Sequence, residues 1–258
     1  LEYGLDVTFA PKIIVGEAGS GMHIHMRIMK DGKSCMTESG KLSDIAHRAI
    51  AGMMTLAPAI TAFGNKNPTS YFRLVPHQEA PTNICWGDCN RSALVRVPLG
   101  WSTANDMCAD ANPVENHCKY SDGYEVSDAS AKQTVEMRSP DSSADIYQLM
   151  AGLCTACRYG LEMPVKEALE LTGRTYAGLN IHTKGSKDFA ELPGCCSESA
   201  DALEQVRSVF EQDNVFSPRM IDGIIRSLRS FGDKGLLADA EKDPDKVKAL
   251  VDKYFYCG

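Results

Sequence analysis

Four charged side chains, Arg73, Glu79, Arg91 and Arg96, stand among apolar and turn-forming residues in the stretch NPTSYFRLVPHQEAPTNICWGDCNRSALVRVP, which runs from Asn67 to Pro98. A guanidinium leaves water at low cost only when an anion meets it, so this density suits a phosphate or carboxylate site. Arg73 could fork onto a carboxylate. Arg91 and Arg96 suit a transferring phosphoryl group, whose charge spreads over several oxygens. Glu79, between Pro76 and Pro81, could serve as a lid or as a base. Any one of these could instead be a structural ion pair.

Two shorter blocks add chemistry. In Gly19-Ser-Gly-Met-His-Ile-His25, the histidines His23 and His25 stand two apart, which on a strand puts both imidazoles on one face. The glycines allow close backbone approach. The pair fits metal binding, or one metal ligand beside one phosphate donor, or two satisfied polar residues on an exposed face. Glu136 and Arg138, in Val135-Glu-Met-Arg138, repeat that spacing. They could pair on the surface, or Glu136 could hold a divalent cation while Arg138 holds a substrate carboxylate.

These residues must be positioned by a core, and 258 residues can bury a large one. Hydrophobic content of 43% and charged content of 24% fit a globular chain. The net charge of -7 argues against a nucleic-acid or anionic-membrane surface. No apolar run approaches the ~20 residues of a membrane span. The opening LEYGLDVTFAPK has no signal-peptide pattern and no initiator Met, so the expected context is cytoplasmic and the chain is read as a portion of something longer. The ten cysteines show no paired zinc knuckles and are read as reduced thiols; Cys154 and Cys157 fall within a helical pattern.

Along the chain, 7–9 reads as a short strand, and Met22–Met29 alternates with period two. Ser43 is the expected N-cap of a helix through Ile60, with Pro58 expected to kink or split it. Ser92–Leu99 and Val135–Arg138 read as strands, and 101–134 as a long surface excursion. Ser142 or Ser143 is expected to cap a helix carrying Ile146, Leu149, Met150, Leu153 and Cys157, with Pro164 after its end. Amphipathic helices are expected near 199–213, 217–231 and 244–256, starting at Ser199, Ser217 and Asp243. The parts read as one α+β domain with a helical C-terminal portion.

Taken in order, GSGMHIH, NPTSYFRLVP, EAP, NRSALVRVP and VEMRSPDSSADIY resemble the catalytic domain of the glutamine synthetase family, over most of 7–162. The resemblance implies a curved antiparallel sheet flanked by helices, the partial catalytic fold of the glutamine synthetase/guanidino kinase type. It divides the chain into a sheet and active-site part, about 1–162, and a mainly helical part, 163–258. It implies a ligase that phosphorylates the side chain of glutamate with ATP and lets ammonia displace phosphate, using Mg2+ or Mn2+, in a homo-oligomeric ring. By resemblance, His23 and Glu136 bind metal, and His25 and Arg96 meet ATP phosphates. Gly19, Arg73 and Arg138 hold glutamate. Arg91 acts with Arg96 on the transferring phosphate, and Glu79 closes over the intermediate and helps deprotonate ammonium.

The chain departs from the family at Ala18, where Asn is common, at Arg27, where a Ser is common, and at Thr134, where an Arg is common. These departures motivate two alternatives, a γ-glutamyl ligase for an organic amine and a non-catalytic nucleotide-binding member. Ala190-Glu-Leu-Pro193 lacks the Tyr that some bacterial members modify. The family's N-terminal β domain and the first part of its catalytic domain are not represented. Most metal carboxylates come from there, so the chain by itself is expected to have little or no synthetase activity.

Overall fold

A computed structural model describes residues 2–76, 78–98, 132–178, 180–181, 189–240 and 243–256. Its centre is helix α1, Asp44–Gly64, capped by Ser43, whose hydroxyl accepts from the Ala46 amide. Fifteen of its 21 residues are buried, so packing surrounds it along its length. The helix runs as one element through Pro58, so the sequence's alternative of a split at that residue does not occur.

Helix α2 spans Pro68–Arg73, α3 Ile146–Glu162 and α4 Val165–Thr175. Helices α1 and α3 cross at glycines. A Cβ on Gly52 would lie 2.0 Å from the Ala156 carbonyl oxygen, and one on Gly160 would lie 1.9 Å from that of Arg48. Only bare backbone permits so close a crossing.

On the other side of the core stands a four-stranded sheet. Strand β1 is Ile24–Met26; the short hairpins β2–β3 (Met29–Lys30, Lys33–Ser34) and β4–β5 (Thr37–Glu38, Lys41–Leu42) follow it. Then come β6 (Trp86–Asp88), β7 (Val95–Val97) and β8 (Val135–Met137). The sheet order is β1-β8-β7-β6. The first two pairings are antiparallel, as expected, while β6 joins β7 in parallel. Val95, Val97, Val135 and Met137 turn to the main core, with Ile24 and Met26 packed beside them. The alternating residues turn the other way, which leaves one face of the sheet for polar work.

The C-terminal helices are α5 (Cys196–Gln205), α6 (Arg207–Glu211), α7 (Pro218–Arg229), α8 (Leu236–Ala240) and α9 (Pro244–Lys253). Ser217 and Asp243 cap α7 and α9 as expected. Helix α5 starts earlier than expected, with the Cys195 sulfur rather than Ser199 at its cap, and it breaks at Val206. Phe63, Phe210 and Phe216 stack where this portion meets α1.

Other expectations are corrected. Residues 7–9 form no strand, because none of the described residues pairs with them; Val7 and Phe9 stay exposed, and the segment is tied down by Thr8 to the Phe255 carbonyl and by Ser142 to that of Phe9. Asp145, not Ser142 or Ser143, caps α3, since Ser143 is engaged by buried Asp141. Leu149 and Leu153 face the core, whereas Ile146 and Met150 are exposed, because the glycines Gly152 and Gly160 set which side of α3 meets α1. Pro164 not only follows α3 but opens α4, a helix that the hydrophobic spacing alone does not announce. Most of 101–134 lies outside the described residues. Cys35, Cys85, Cys89, Cys154, Cys157, Cys195 and Cys196 are free thiols.

Candidate active site

The strand register builds the site as rows. His25 lies opposite Glu136, and Glu136 opposite Arg96, across β1, β8 and β7. Opposite residues in an antiparallel ladder share a face. One step along, His23 and Arg138 take the same face. A carboxylate flanked by two guanidiniums and an imidazole therefore occupies the centre of the polar side.

Glu136 is 1% exposed. Its Oε1 lies 2.8 Å from His23 Nδ1 and 3.7 Å from Arg138 Nε, and its Oε2 lies 2.6 Å from Arg96 Nε. The Arg96 approach is close but poorly aligned, so among the described residues Glu136 Oε2 is buried with charge compensation and without a directed hydrogen bond. Burial lowers the pKa of His23, and Arg138 lowers it further, against an opposing pull from Glu136. The imidazole is thereby biased to its neutral, metal-competent form.

Arg73 reaches the same region from the end of α2. It is 5% exposed and donates to the Ser139 carbonyl at 2.7 Å and the Arg138 carbonyl at 3.2 Å. Two of its five N–H groups are thus tied to the turn after β8. Close approach makes the glycines necessary: a Cβ on Gly21 would lie 2.2 Å from Arg73 Nη2, and one on Gly19 would lie 2.4 Å from the Pro11 carbonyl. Arg138 donates to the carbonyls of Arg91 and Ala93, which fixes the loop that carries Arg91.

Three cavities follow from this arrangement. One of about 170 Å³ is lined by Gly19, Gly21, His23, Arg73, Glu79 and Arg138. A second, of about 370 Å³, adds Arg91 and Arg96 to His23, Glu79 and Arg138. A third, of about 530 Å³, is lined by His25, Arg91, Arg96, Lys132 and Thr134. Arg91 and Arg96 wall both of the larger basins. His25 Nδ1 lies 3.0 Å from the Thr134 hydroxyl.

All nine residues singled out from the sequence thus line these three cavities or, for Glu136, pair with residues that do. Glu79 and Arg91 are exposed, while Arg73, Glu136 and Arg138 are buried. Lys12, Gln78, Lys132 and Asn180 also belong to the surroundings and escape a reading of the sequence alone. Lys12 carries one legible signal, a lone cation after the apolar Phe9-Ala-Pro11.

As a metal site the donor set is partial. His23 and the unbonded Glu136 Oε2 suit a divalent cation, yet no group of three or more His, Cys, Asp or Glu converges among the described residues. A hard cation takes about six oxygen-rich ligands, so these two supply only part of its shell.

The family model "Glutamine synthetase, catalytic domain" matches residues 1–118. The glutamine synthetase of Pyrococcus abyssi is 32% identical over 209 residues, which is 81% of this chain and 41% of that protein. That of Thermococcus kodakarensis is 30% identical over 260 residues, 98% of this chain and 51% of that protein. Over most of its length the chain is similar to glutamine synthetases. It corresponds to the C-terminal part of the catalytic domain and spans roughly half the length of these relatives. A Plasmodium falciparum glutamine synthetase structure superposes with a TM-score of 0.62 at 22% identity, over 88% of this chain and 46% of that one, and so shares its α+β fold. Among the described residues, no helix is long and apolar enough to cross a membrane.

Proposed function

We propose that this chain supplies the phosphoryl-transfer half of a ligase that forms an amide on the side-chain carboxylate of glutamate. The observation that carries the reading is the pair Arg91 and Arg96, which line two adjoining basins. A group moving from a nucleotide in one to a carboxylate in the other passes these cations throughout its transfer. The hollow of about 170 Å³, with Gly19, Arg73 and Arg138, holds the rest of the acid substrate, whose side-chain carboxylate extends past His23, Glu79 and Arg138 into the neighbouring basin of Arg91 and Arg96. His25, with Arg96, meets the nucleotide phosphates.

In the first step the glutamate side-chain carboxylate attacks the γ-phosphorus of ATP and ADP leaves. In the second, ammonia displaces phosphate from the acyl carbon. Arg91 and Arg96 offset the charge spread over the phosphoryl oxygens. Glu79, on the exposed loop after α2, accepts a proton from ammonium and shields the acyl phosphate from water. Mg2+ or Mn2+, when bound, neutralises phosphate oxygens; His23 and Glu136 are the ligands this chain offers.

A second reading, an organic amine as acceptor, is favoured by Ala18, which lines the smallest hollow where relatives often place Asn. The site's incomplete metal shell supports the expectation that residues 1–258 alone turn over little. On this proposal the whole enzyme is a homo-oligomer and works in the cytoplasm, with 1–162 carrying the site and 163–258 bracing it. The test is glutamate-dependent phosphate release from ATP, with product analysis, in a protein of the relatives' full length that includes this chain. Glutamine as main product supports the first reading, a γ-glutamyl amide of an added amine supports the second, and no glutamate dependence overturns both.

A further inference from the structure

Lys12 is 1% exposed, and among the described residues its hydrogen bonds reach no carboxylate. Its ammonium donates to the Glu17 carbonyl and, at 2.8 Å, to Gln78 Oε1. Both hydrogen-bond acceptors are neutral, and the Glu17 carboxylate acts on the ammonium only through space, so a buried cation lacks a directly bonded counter-charge among the described residues, an arrangement that costs stability unless it does something else. Burial, and then Arg73, lower its pKa, which registers how strongly this spot resists a further positive charge.

The two acceptors lie on two different loops. Glu17 belongs to the loop 11–20, which is closed by the Ser20 amide on the Pro11 carbonyl at 2.9 Å and carries Gly19. Gln78 is adjacent to Glu79 and lines both of the smaller hollows with it. Among the described residues, the backbone hydrogen bonds of this region end at Val75 and resume at Thr82. The link from the Glu79 loop to Lys12 is a side-chain contact, made through Gln78.

We propose that Lys12 is a positioning residue that clasps the Glu79 loop to the glycine loop through Gln78, and so sets where the Glu79 carboxylate stands over the acid-binding hollow. The role assigned to Glu79 rests on the proposed function; the clasp itself does not. An ammonium suits the task, because one compact cation can hold two oxygens from separate segments.

The experiment is NMR relaxation on the ligand-free chain, with assigned backbone amides at Gln78, Glu79 and Ala80 and the Gln78 side-chain amide as the direct signature. In the parent chain these amides are expected to show order parameters of about 0.8, falling below about 0.6 in Lys12→Met while the amides of α1 stay unchanged. The Gln78 side-chain amide shifts in the same variant. Gln78→Met, which leaves the buried amine in place, produces the same loosening, and the double variant adds nothing to it.

The charge of the clasp has its own readout. Gln78→Glu keeps the loop ordered when Lys12 is present, and combined with Lys12→Met it loosens the loop beyond Lys12→Met alone. An unchanged Gln78 side-chain amide in Lys12→Met, additive effects in the double variant, or equal behaviour of Gln78→Glu in both backgrounds would overturn the proposal. Absence of glutamate binding with all the relaxation results intact would overturn the reading of the site and leave the clasp standing.

Discussion

Replacing Glu136 by glutamine removes one negative charge from a buried cluster and changes almost nothing in volume. The parent carboxylate meets Arg96 at 2.6 Å, His23 at 2.8 Å and Arg138 at 3.7 Å. At an effective dielectric constant of about 20, opposite unit charges about 4 Å apart attract by about 4 kcal/mol. Removing one partner of a buried pair typically costs about 3–5 kcal/mol, because the other is left without a counter-charge. Arg96 retains 22% side-chain exposure and can turn toward water, which places the expected loss near the lower end, about 3 kcal/mol. Urea unfolding followed by the fluorescence of buried Trp86 measures it. Adding Arg96→Met to Glu136→Gln removes the stranded cation, so the double variant should lose about 1–2 kcal/mol less than the sum of the singles. A Glu136→Gln loss below about 0.5 kcal/mol, or strict additivity, would refute the reasoning.

Further outcomes follow from the same geometry. Gly21→Ala drives a methyl group against the Arg73 guanidinium, 2.2 Å away, and should weaken glutamate binding at least about tenfold by calorimetry while costing only about 1–3 kcal/mol of stability; unchanged affinity would separate Arg73 from the ligand. Gly160→Ala presses on the Arg48 carbonyl at the α1–α3 crossing and should cost about 2–3 kcal/mol in the same unfolding assay, whereas Gly173→Ala, which meets nothing, should be neutral or mildly stabilising. Burial lowers the pKa of His47 against the pull of Asp44 and Asp88, its Nδ1 has no hydrogen-bond partner among the described residues, and its ring packs edge-on against Trp86. Below the ordinary histidine pKa of about 6.5 the unfolded chain binds this proton more readily than the native chain, so stability falls as pH drops through that window. His23, also lowered, acts in the same direction. The melting temperature should therefore drop between about pH 7.5 and 5.5, and His47→Gln should flatten the slope; an unchanged slope would count against the assignment.

The parts of the fold legible in the sequence are those governed by local chemistry. Ser43, Ser217 and Asp243 announce their helices because a short polar side chain satisfies an orphan amide within three residues. Alternation at Met22–Met29 gives away the exposed and covered faces around β1. What escapes is decided by distant parts of the chain. Pro58 is tolerated because neighbours bury α1 along its length, and 7–9 is no strand because none of the described residues pairs with it. Ile146 and Met150 look like core residues of α3 and are not, since the helix crossing is dictated by glycines with no hydrophobicity to advertise them.

The candidate site shows the same division. Period-two spacing is enough to pair His23 with His25 and Glu136 with Arg138 on their strands. That the two pairs face each other depends on the β1–β8 register, which joins segments far apart in the chain. Lys12 goes unnoticed in the sequence because its meaning lies in Gln78, sixty-six positions away.

The central claim is that a phosphoryl group passes between two basins that share Arg91 and Arg96. A crystal structure of a full-length protein containing this chain, with a non-hydrolysable ATP analogue, Mg2+ and glutamate, tests it most directly. The expected result places the terminal phosphate between Arg91 and Arg96, with the glutamate side-chain carboxylate approaching it in line from the hollow of Gly19, Arg73 and Arg138. A terminal phosphate that contacts neither arginine, or glutamate bound away from Arg73 and Arg138, would contradict it.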